Sequence, residues 1–161
     1  MGVRPSGVKI NIVVKRAKFE NINEVSALFN SYRVFYSQDS NLDVAKEFIS
    51  ERINNSESVI FYAIDNTGTY LGFTQLYPNF SSVSAKRSWV LNDLYVSESA
   101  RRLGVGKKLM EAAKFFAEST NAKGIALQTA EDNVNAQDLY ESLGYKKGSG
   151  FLSYFLSLQQ A

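Results

Sequence analysis

Residues Val96 to Lys108 read VSESARRLGVGKK and join a strand-like run to a helical one. Two glycines, Gly104 and Gly106, follow a pair of basic residues at the expected start of the helix. Glycine lets successive backbone N–H groups turn toward one point, where the positive end of the helix dipole reinforces them. The stretch therefore predicts an anion site, with a phosphate as its expected guest.

The spacing of these glycines narrows the class of phosphate ligand. It differs from the G-x-G-x-x-G fingerprint of dinucleotide-binding folds, and the chain has no G-x-x-x-x-G-K-[ST] loop. NAD and ATP are therefore weaker candidates. Taken alone, the stretch is also compatible with a tight turn beside solvated basic side chains.

Apolar periodicity upstream of this stretch predicts a strand followed by two helices. Residues 10–14 alternate like a strand, and helical spacing predicts one helix from Asn21 to about Ser37 and a second from Asp43. Three strand-like runs follow and are expected to pair as an antiparallel meander: 59–64, 70–77 and 87–96.

Downstream, a helix opening at Val105 leads to a short apolar strand at residues 125–127. Such a strand–helix–strand unit is expected to be a right-handed parallel crossover. A last helix ends at Gly144, and residues 151–158 alternate like a closing strand.

A second motif, Asn133 to Tyr145, reads NVNAQDLYESLGY. Together with Arg101-x-x-Gly104-x-Gly106, it resembles the GCN5-related N-acetyltransferase (GNAT) superfamily. The strict match runs from Leu91 to Tyr145, while the order of elements matches along nearly all of the chain. The N-terminal part, including Tyr32–Tyr36, is most similar to the branch containing yeast histone and polyamine acetyltransferases.

The resemblance implies an α/β fold with a mixed sheet, the GNAT fold. Its elements run strand, two helices, three strands, helix, strand, helix and two closing strands, and its fourth and fifth strands splay apart. We expect a flexible leader over residues 1–8 and a single N-acetyltransferase domain over residues 9–161.

The resemblance also implies that acetyl-CoA is the cosubstrate, with its pantetheine arm on the fourth strand and its pyrophosphate on the glycine stretch. The expected cofactor-binding residues are Leu94, Val96, Arg101, Arg102, Leu103, Gly104, Val105, Gly106, Lys107 and Asn133. Tyr140 matches the family tyrosine that protonates the departing thiolate. Without the resemblance, Tyr140 is an aromatic residue on an apolar helix face and is expected to pack in the core.

The general base and the acceptor contacts are less sharply indicated. Asp93 is the nearest acidic candidate for the base. Some polyamine-acetylating relatives carry a glutamate where Asn92 stands, however, and successive strand residues point to opposite faces. The candidate acceptor contacts are Tyr32, Tyr36, Gln75 and Tyr77, and the first two also fit the inward stripe of the first helix.

Composition removes other classes of enzyme. The 161 residues include no Cys and no His, which excludes a disulfide, a zinc site of the usual N/S ligands and a His-activated nucleophile. We expect no metal. A net charge of +2 gives no reason to expect nucleic acid or a membrane as partner. No apolar run approaches the roughly 20 residues of a membrane span, so we expect a cytoplasmic protein.

These observations predict an acetyl-CoA-dependent N-acetyltransferase that acts on a primary amine of a small molecule, such as a polyamine or an amino acid, and forms a homodimer. A protein lysine or N-terminal acetyltransferase is the alternative within the enzyme class. From other classes, a non-catalytic acyl-CoA-binding sensor and a nucleotide-binding regulatory domain stay open.

Overall fold

The computed structural model describes residues 10–159, and internal contacts divide the chain into one compact unit up to Gln128 and a second from Thr129. The first unit holds a five-stranded sheet and three helices, and the second holds one helix. The leader predicted for residues 1–8 lies outside the described residues, and the single domain over 9–161 stays a prediction.

The sheet has the order β1-β2-β3-β4-β5, antiparallel throughout except for the parallel pair β4–β5. Its strands are β1 (Val13–Arg16), β2 (Val59–Ile64), β3 (Tyr70–Ser81), β4 (Lys86–Val96) and β5 (Ile125–Ala126). The predicted meander and parallel pair are therefore confirmed. β1 begins later than the alternation from Ile10 suggested, because pairing with β2 begins at Val13.

Three helices sandwich this sheet. The α-helices within residues 10–159 are α1 (Ile22–Phe35), α2 (Leu42–Asn54), α3 (Val105–Ser119) and α4 (Val134–Ser142), and α1, α2 and α3 are the three that pack on the sheet. α1 and α2 share a buried cluster with Tyr62 and Phe73, whereas α3 shares one with Ala63 and Leu71. Tyr62 and Ala63 are neighbours on β2 and face opposite sides, so the two clusters lie on opposite faces of the sheet. Leu71 is the extra residue at a register shift between β2 and β3, and it joins the α3 side. Among residues 10–159, no helix is long and apolar enough to cross a membrane.

β4 is the strand that shapes the site. It pairs with β5 only at Trp89–Ile125 and Val90–Ala126, and its remaining residues up to Val96 have no β5 partner. β5 ends at Ala126, one residue earlier than predicted. The expected splay between the fourth and fifth strands is confirmed. On its other side β4 carries a bulge, since Asp93 pairs with Gln75 and Leu91 with Leu76, which leaves Asn92 as the extra residue.

The prediction of two closing strands is wrong for the described residues, because residues 145–159 form no strand. Phe151 and Tyr154 are 97% and 90% exposed, and the neighbouring apolar side chains are similarly exposed. Alternating apolar residues form a strand only where a neighbouring strand takes up their backbone hydrogen bonds and a core covers one face. Within the described chain neither condition is met for this segment.

Candidate active site

The glycine cradle, as we call residues 101–107, comprises the loop before α3 and the first turn of that helix. The amides that open α3 have no acceptor within the helix, whereas the Arg101 amide donates to the Glu98 carbonyl at 3.3 Å. Gly104 occupies the N-cap position with a φ of +79°. As a glycine it has no side chain to bond the helix amides, and the first turn holds no acidic residue. The opening N–H groups of a helix have no intrahelical acceptor. A Cβ built on Gly104 meets nothing within 4 Å, which leaves space for an anion in front of them. Arg102 also has a positive φ, of 64°.

Basic side chains surround these amides. Arg102 and Lys107 are exposed, and Arg101 donates from Nε to the Val96 carbonyl at 3.3 Å while its guanidinium lies 5.7 Å from the centre of the Phe35 ring. Val105 is 1% exposed, so only its backbone can serve the cradle. Free amides, a positive helix end and a positive surround together fit a pyrophosphate.

The two expected pantetheine contacts lie on the unpaired length of β4. Leu94 and Val96 are half-buried, and they pair on one side with Thr74 and Gly72 of β3. Beyond Val90, the backbone of β4 has no β5 ladder to satisfy its other edge. The Val96 carbonyl also accepts from the Arg101 side chain at 3.3 Å.

A second group of residues, which we call the Asp93 cluster, lies buried on the α1 side of the sheet. Asp93 is 3% exposed and accepts from Gln75 Nε2 at 2.6 Å and from Asn92 Nδ2 at 3.2 Å. Gln75 is fully buried and accepts at Oε1 from the Ser58 hydroxyl at 2.8 Å. The Tyr32 hydroxyl lies within hydrogen-bonding reach of the Asp93 carboxylate.

Burial dominates the titration of this cluster. It raises the pKa of the Asp93 carboxyl, although hydrogen bonds from Gln75, Tyr32 and Asn92 work in the opposite direction. Burial, followed by the charge of Asp93, also raises the pKa of Tyr32, and the same two causes raise the pKa of Tyr77 to about 12. The tyrosines therefore remain neutral where Asp93 titrates. A buried carboxyl with a raised pKa is suited to accept a proton near neutral pH.

The candidate acceptor contacts separate into two kinds. Tyr32 stacks edge-on against Phe73 and Tyr36 with ring centres 5.9 and 4.9 Å apart, and Tyr36 is 54% exposed. Tyr77 is half-buried. Gln75, by contrast, has no exposed surface and cannot touch the substrate amine directly. It reaches the amine only through its hydrogen bond to Asp93.

Sequence reasoning missed Ser58. It directly precedes β2, and it meets Gln75 because β2 and β3 pair in a register that sets Ile60 opposite Gln75. No local motif carries that register. The expected pairing of the two strands was the only signal that pointed toward Ser58.

In the second unit, Asn133 caps α4, and its Oδ1 accepts from the Ala136 amide at 3.4 Å. Tyr140 lies on α4 and is half-buried, with its ring centre 6.1 Å from that of Tyr145. Burial raises the pKa of Tyr145, and Tyr140 adds to the effect.

The sequence profile of the acetyltransferase (GNAT) family matches residues 22–145. The chain belongs to this family. It is 46% identical over 145 residues to an uncharacterized N-acetyltransferase, YhfO, of Bacillus subtilis (strain 168), covering 90% of this chain and 97% of that protein. The crystal structure of a probable acetyltransferase superposes with a TM-score of 0.87 at 39% identity, covering 92% of this chain and 99% of that one.

A third similarity covers only half of each chain. Over 80 residues the chain is 35% identical to the D-amino-acid N-acetyltransferase HPA3 of Saccharomyces cerevisiae, which is 50% of either protein. This GNAT protein is thus an N-acetyltransferase, and the family uses acetyl-CoA. The free amides and basic surround of the glycine cradle fit the pyrophosphate of that cosubstrate.

Proposed function

We propose that this protein transfers an acetyl group from acetyl-CoA to a primary amine of a small molecule, by direct attack in a ternary complex. The observation that carries the proposal is the buried Asp93 carboxyl, which lies on the splayed strand β4 and has a raised pKa. It supplies a proton acceptor in a protein that has no histidine.

The chemistry requires such a group. A lysine-like amine with a pKa near 10.4 is only about 0.1% neutral at pH 7.4, which costs roughly 4 kcal/mol. We assign removal of the ammonium proton to an Asp93 carboxylate oxygen. We assign protonation of the leaving sulfur to the Tyr140 hydroxyl, with a β4 backbone amide polarising the carbonyl. The second proton, which the amine nitrogen loses as the amide forms, restores that hydroxyl, and Asp93 releases the first proton to solvent after the reaction. Acetyl-CoA supplies the activated acetyl group as a thioester.

The surface near the end of α1 suits a cationic acceptor. Tyr36 is 54% exposed and supplies an aromatic ring, whereas the neighbouring Phe35 ring already faces the Arg101 guanidinium. Exposed acidic side chains lie in the following loop and on α2: Asp39, Asp43 and Glu47. Aromatic faces attract ammonium groups, and the carboxylates raise the local concentration of cations. The basic glycine cradle carries the opposite sign and suits the phosphates.

We propose that the chain belongs to the branch of the yeast histone and polyamine acetyltransferases. Support comes from its similarity to a yeast enzyme that acts on D-amino acids, over half of each chain. Amino acids and polyamines are therefore the first acceptors to test. A lysine side chain or N-terminus of a protein is the alternative acceptor.

A competition among acceptors tests this proposal. The protein is incubated with acetyl-CoA and one of three acceptors: spermidine, a mixture of D- and L-amino acids, or a lysine-containing peptide. The acetylated products are identified and quantified by mass spectrometry. We expect product from a small amine and none in a Gly104→Glu variant, which puts bulk and negative charge into the cradle. Product from the peptide alone would favour the protein-directed alternative.

We also propose that the protein is a homodimer in which a second copy covers residues 151–158. Phe151, Tyr154 and Phe155 are at least 90% exposed in the single chain, and residues 148–161 contain no charged side chain that would repel a second copy. Aromatic side chains bury about 150–250 Å² each, so three supply about 450–750 Å² of the roughly 800 Å² per partner of a standard interface, and the exposed Leu152, Leu156 and Leu158 add to it. Pairing of this segment with itself gives the two-fold symmetry usual in homodimers.

Sedimentation velocity tests the dimer. The wild-type protein should sediment as a dimer and a Phe155→Asp variant as a folded monomer. Phe19→Asp, at a residue 73% exposed in the first unit, is the matched control and should remain a dimer. A wild-type monomer at micromolar concentration would refute the proposal.

A further inference from the structure

Ser58 and Gln75 form a chain of hydrogen bonds that ends on Asp93. The Ser58 hydroxyl donates to Gln75 Oε1 at 2.8 Å, and Gln75 Nε2 donates to Asp93 Oδ2 at 2.6 Å. Gln75 has no exposed surface and Asp93 only 3%, so neither can turn to bulk water. Each of these polar atoms must find its partner inside the protein.

We propose that Ser58 and Gln75 are positioning residues that set the protonation of the Asp93 carboxyl. An ionised carboxylate needs donors, and only one of the two orientations of the Gln75 amide turns its N–H toward Asp93. The Ser58 hydroxyl on Oε1 favours that orientation. The inference rests on the proposed function, in which Asp93 takes the proton of the acceptor amine.

The same chain accommodates the protonated acid. A proton that leaves the ammonium nitrogen arrives on an Asp93 oxygen, whose O–H then needs an acceptor. A half-turn of the Gln75 amide brings Oε1 toward Asp93 and Nε2 toward Ser58 Oγ, which now accepts, since a hydroxyl both donates and accepts. Asp93 and Gln75 keep a partner in either state, whereas the half-buried Ser58 hydroxyl donates to Gln75 Oε1 only when Asp93 is ionised, which favours the ionised form.

The neighbours of Asp93 leave this role to Gln75 and Ser58. The titratable side chains that face it are Tyr32 of α1 and Tyr77 of β3, and burial raises the pKa of both. From β4, Asn92 donates to the other carboxylate oxygen at 3.2 Å. Arg52 of α2 and Glu57 act on Tyr77 with opposite signs.

The test is a direct titration of Asp93 by NMR, with the carboxyl carbon labelled and its signal assigned by its loss in Asp93→Asn. In Gln75→Met, which keeps the volume and removes the amide donor, the pKa of Asp93 should rise by about one unit. Ser58→Ala should raise it by less, and Ser58→Thr, which keeps a hydroxyl, should restore the wild-type value. Ser26→Ala removes an equally small hydroxyl from a fully buried site on α1 and should leave the pKa of Asp93 at its wild-type value.

An unchanged Asp93 titration in Ser58→Ala and Gln75→Met would overturn the proposal. If Gln75→Met fails to fold, the Ser58→Ala and Ser58→Thr pair decides it alone. The acid limb of kcat/KM against pH, measured on the same variants, tests the proposed function separately. If Asp93 is the base, that limb moves upward with the NMR value. If the NMR value moves while the limb stays, the positioning role stands and Asp93 is not the base.

Discussion

The glycine cradle and the Asp93 cluster lie in the same unit of the chain but are built on opposite principles. The cradle is exposed, continuous in sequence and made largely of backbone amides at the start of α3. The cluster is largely buried and made of side chains from α1, β3, β4 and the residue that precedes β2. A backbone site tolerates change in most side chains, whereas a side-chain network fails when one member is lost. Cosubstrate binding and proton transfer should therefore respond to different substitutions.

Replacement of Asp93 should give the largest effect. Asp93→Asn keeps the shape of the side chain but removes the proton acceptor, and general-base catalysis contributes about 10²–10⁴-fold. We expect kcat with a protonated amine to fall by about 10³-fold while the Kd of CoA stays unchanged. Steady-state kinetics and calorimetry measure the two quantities. A variant that keeps full activity would show that the base lies elsewhere.

Gly104→Glu in the glycine cradle should have the opposite pattern of effects, because it changes the site of CoA binding and leaves the Asp93 cluster intact. A side chain in the space before the α3 amides, bearing negative charge, should weaken CoA binding by about 10²-fold or more. The Asp93 cluster should be untouched, so the NMR titration of Asp93 should match the wild type. The two regions would prove to be coupled, against our account, if Gly104→Glu shifted that titration.

Stability as a function of pH sharpens the contrast. Burial raises the pKa of Asp93 above the usual 3.8, so the folded state holds the proton more tightly than the unfolded chain. The stability that Asp93 contributes is therefore complete below pH 3.8 and is lost as pH rises through its folded pKa. Asp93→Asn should melt at a higher temperature than the wild type at pH 8, and the difference should shrink toward pH 4. Equal melting curves at pH 8 would contradict the raised pKa.

The smallest effect is expected from Arg101→Ala. Its guanidinium is exposed and contributes charge rather than a backbone amide, so CoA affinity should fall only about 2- to 5-fold, and less at high salt. Lys114→Ala, an exposed cation near the middle of α3, is the control and should leave CoA affinity unchanged. A loss as large as that of Gly104→Glu would mean that side-chain charge, and not the backbone, holds the phosphates.

The same contrast explains what sequence could predict. The cradle and the order of elements follow from local periodicity and two motifs. The splay of the fourth and fifth strands follows from the family resemblance that those motifs carry, and the structure has it. The role of Ser58 follows from the register of β2 on β3, which depends on contacts across the sheet. The closing strands were predicted from alternation in residues 151–158, but alternation alone does not supply the neighbouring strand that such a segment needs.

The most direct test of the account is a single-turnover experiment with saturating acetyl-CoA and a small amine, comparing the wild type with Asp93→Asn. Product appearance and CoA binding are followed in the same samples across pH 5 to 9. The account predicts acetylated amine in the wild type, with a rate that rises through the pKa of Asp93, and a variant that binds CoA normally but transfers slowly at every pH. Normal CoA binding with no acetylated amine from the wild type, or equal rates in the two proteins, would contradict it.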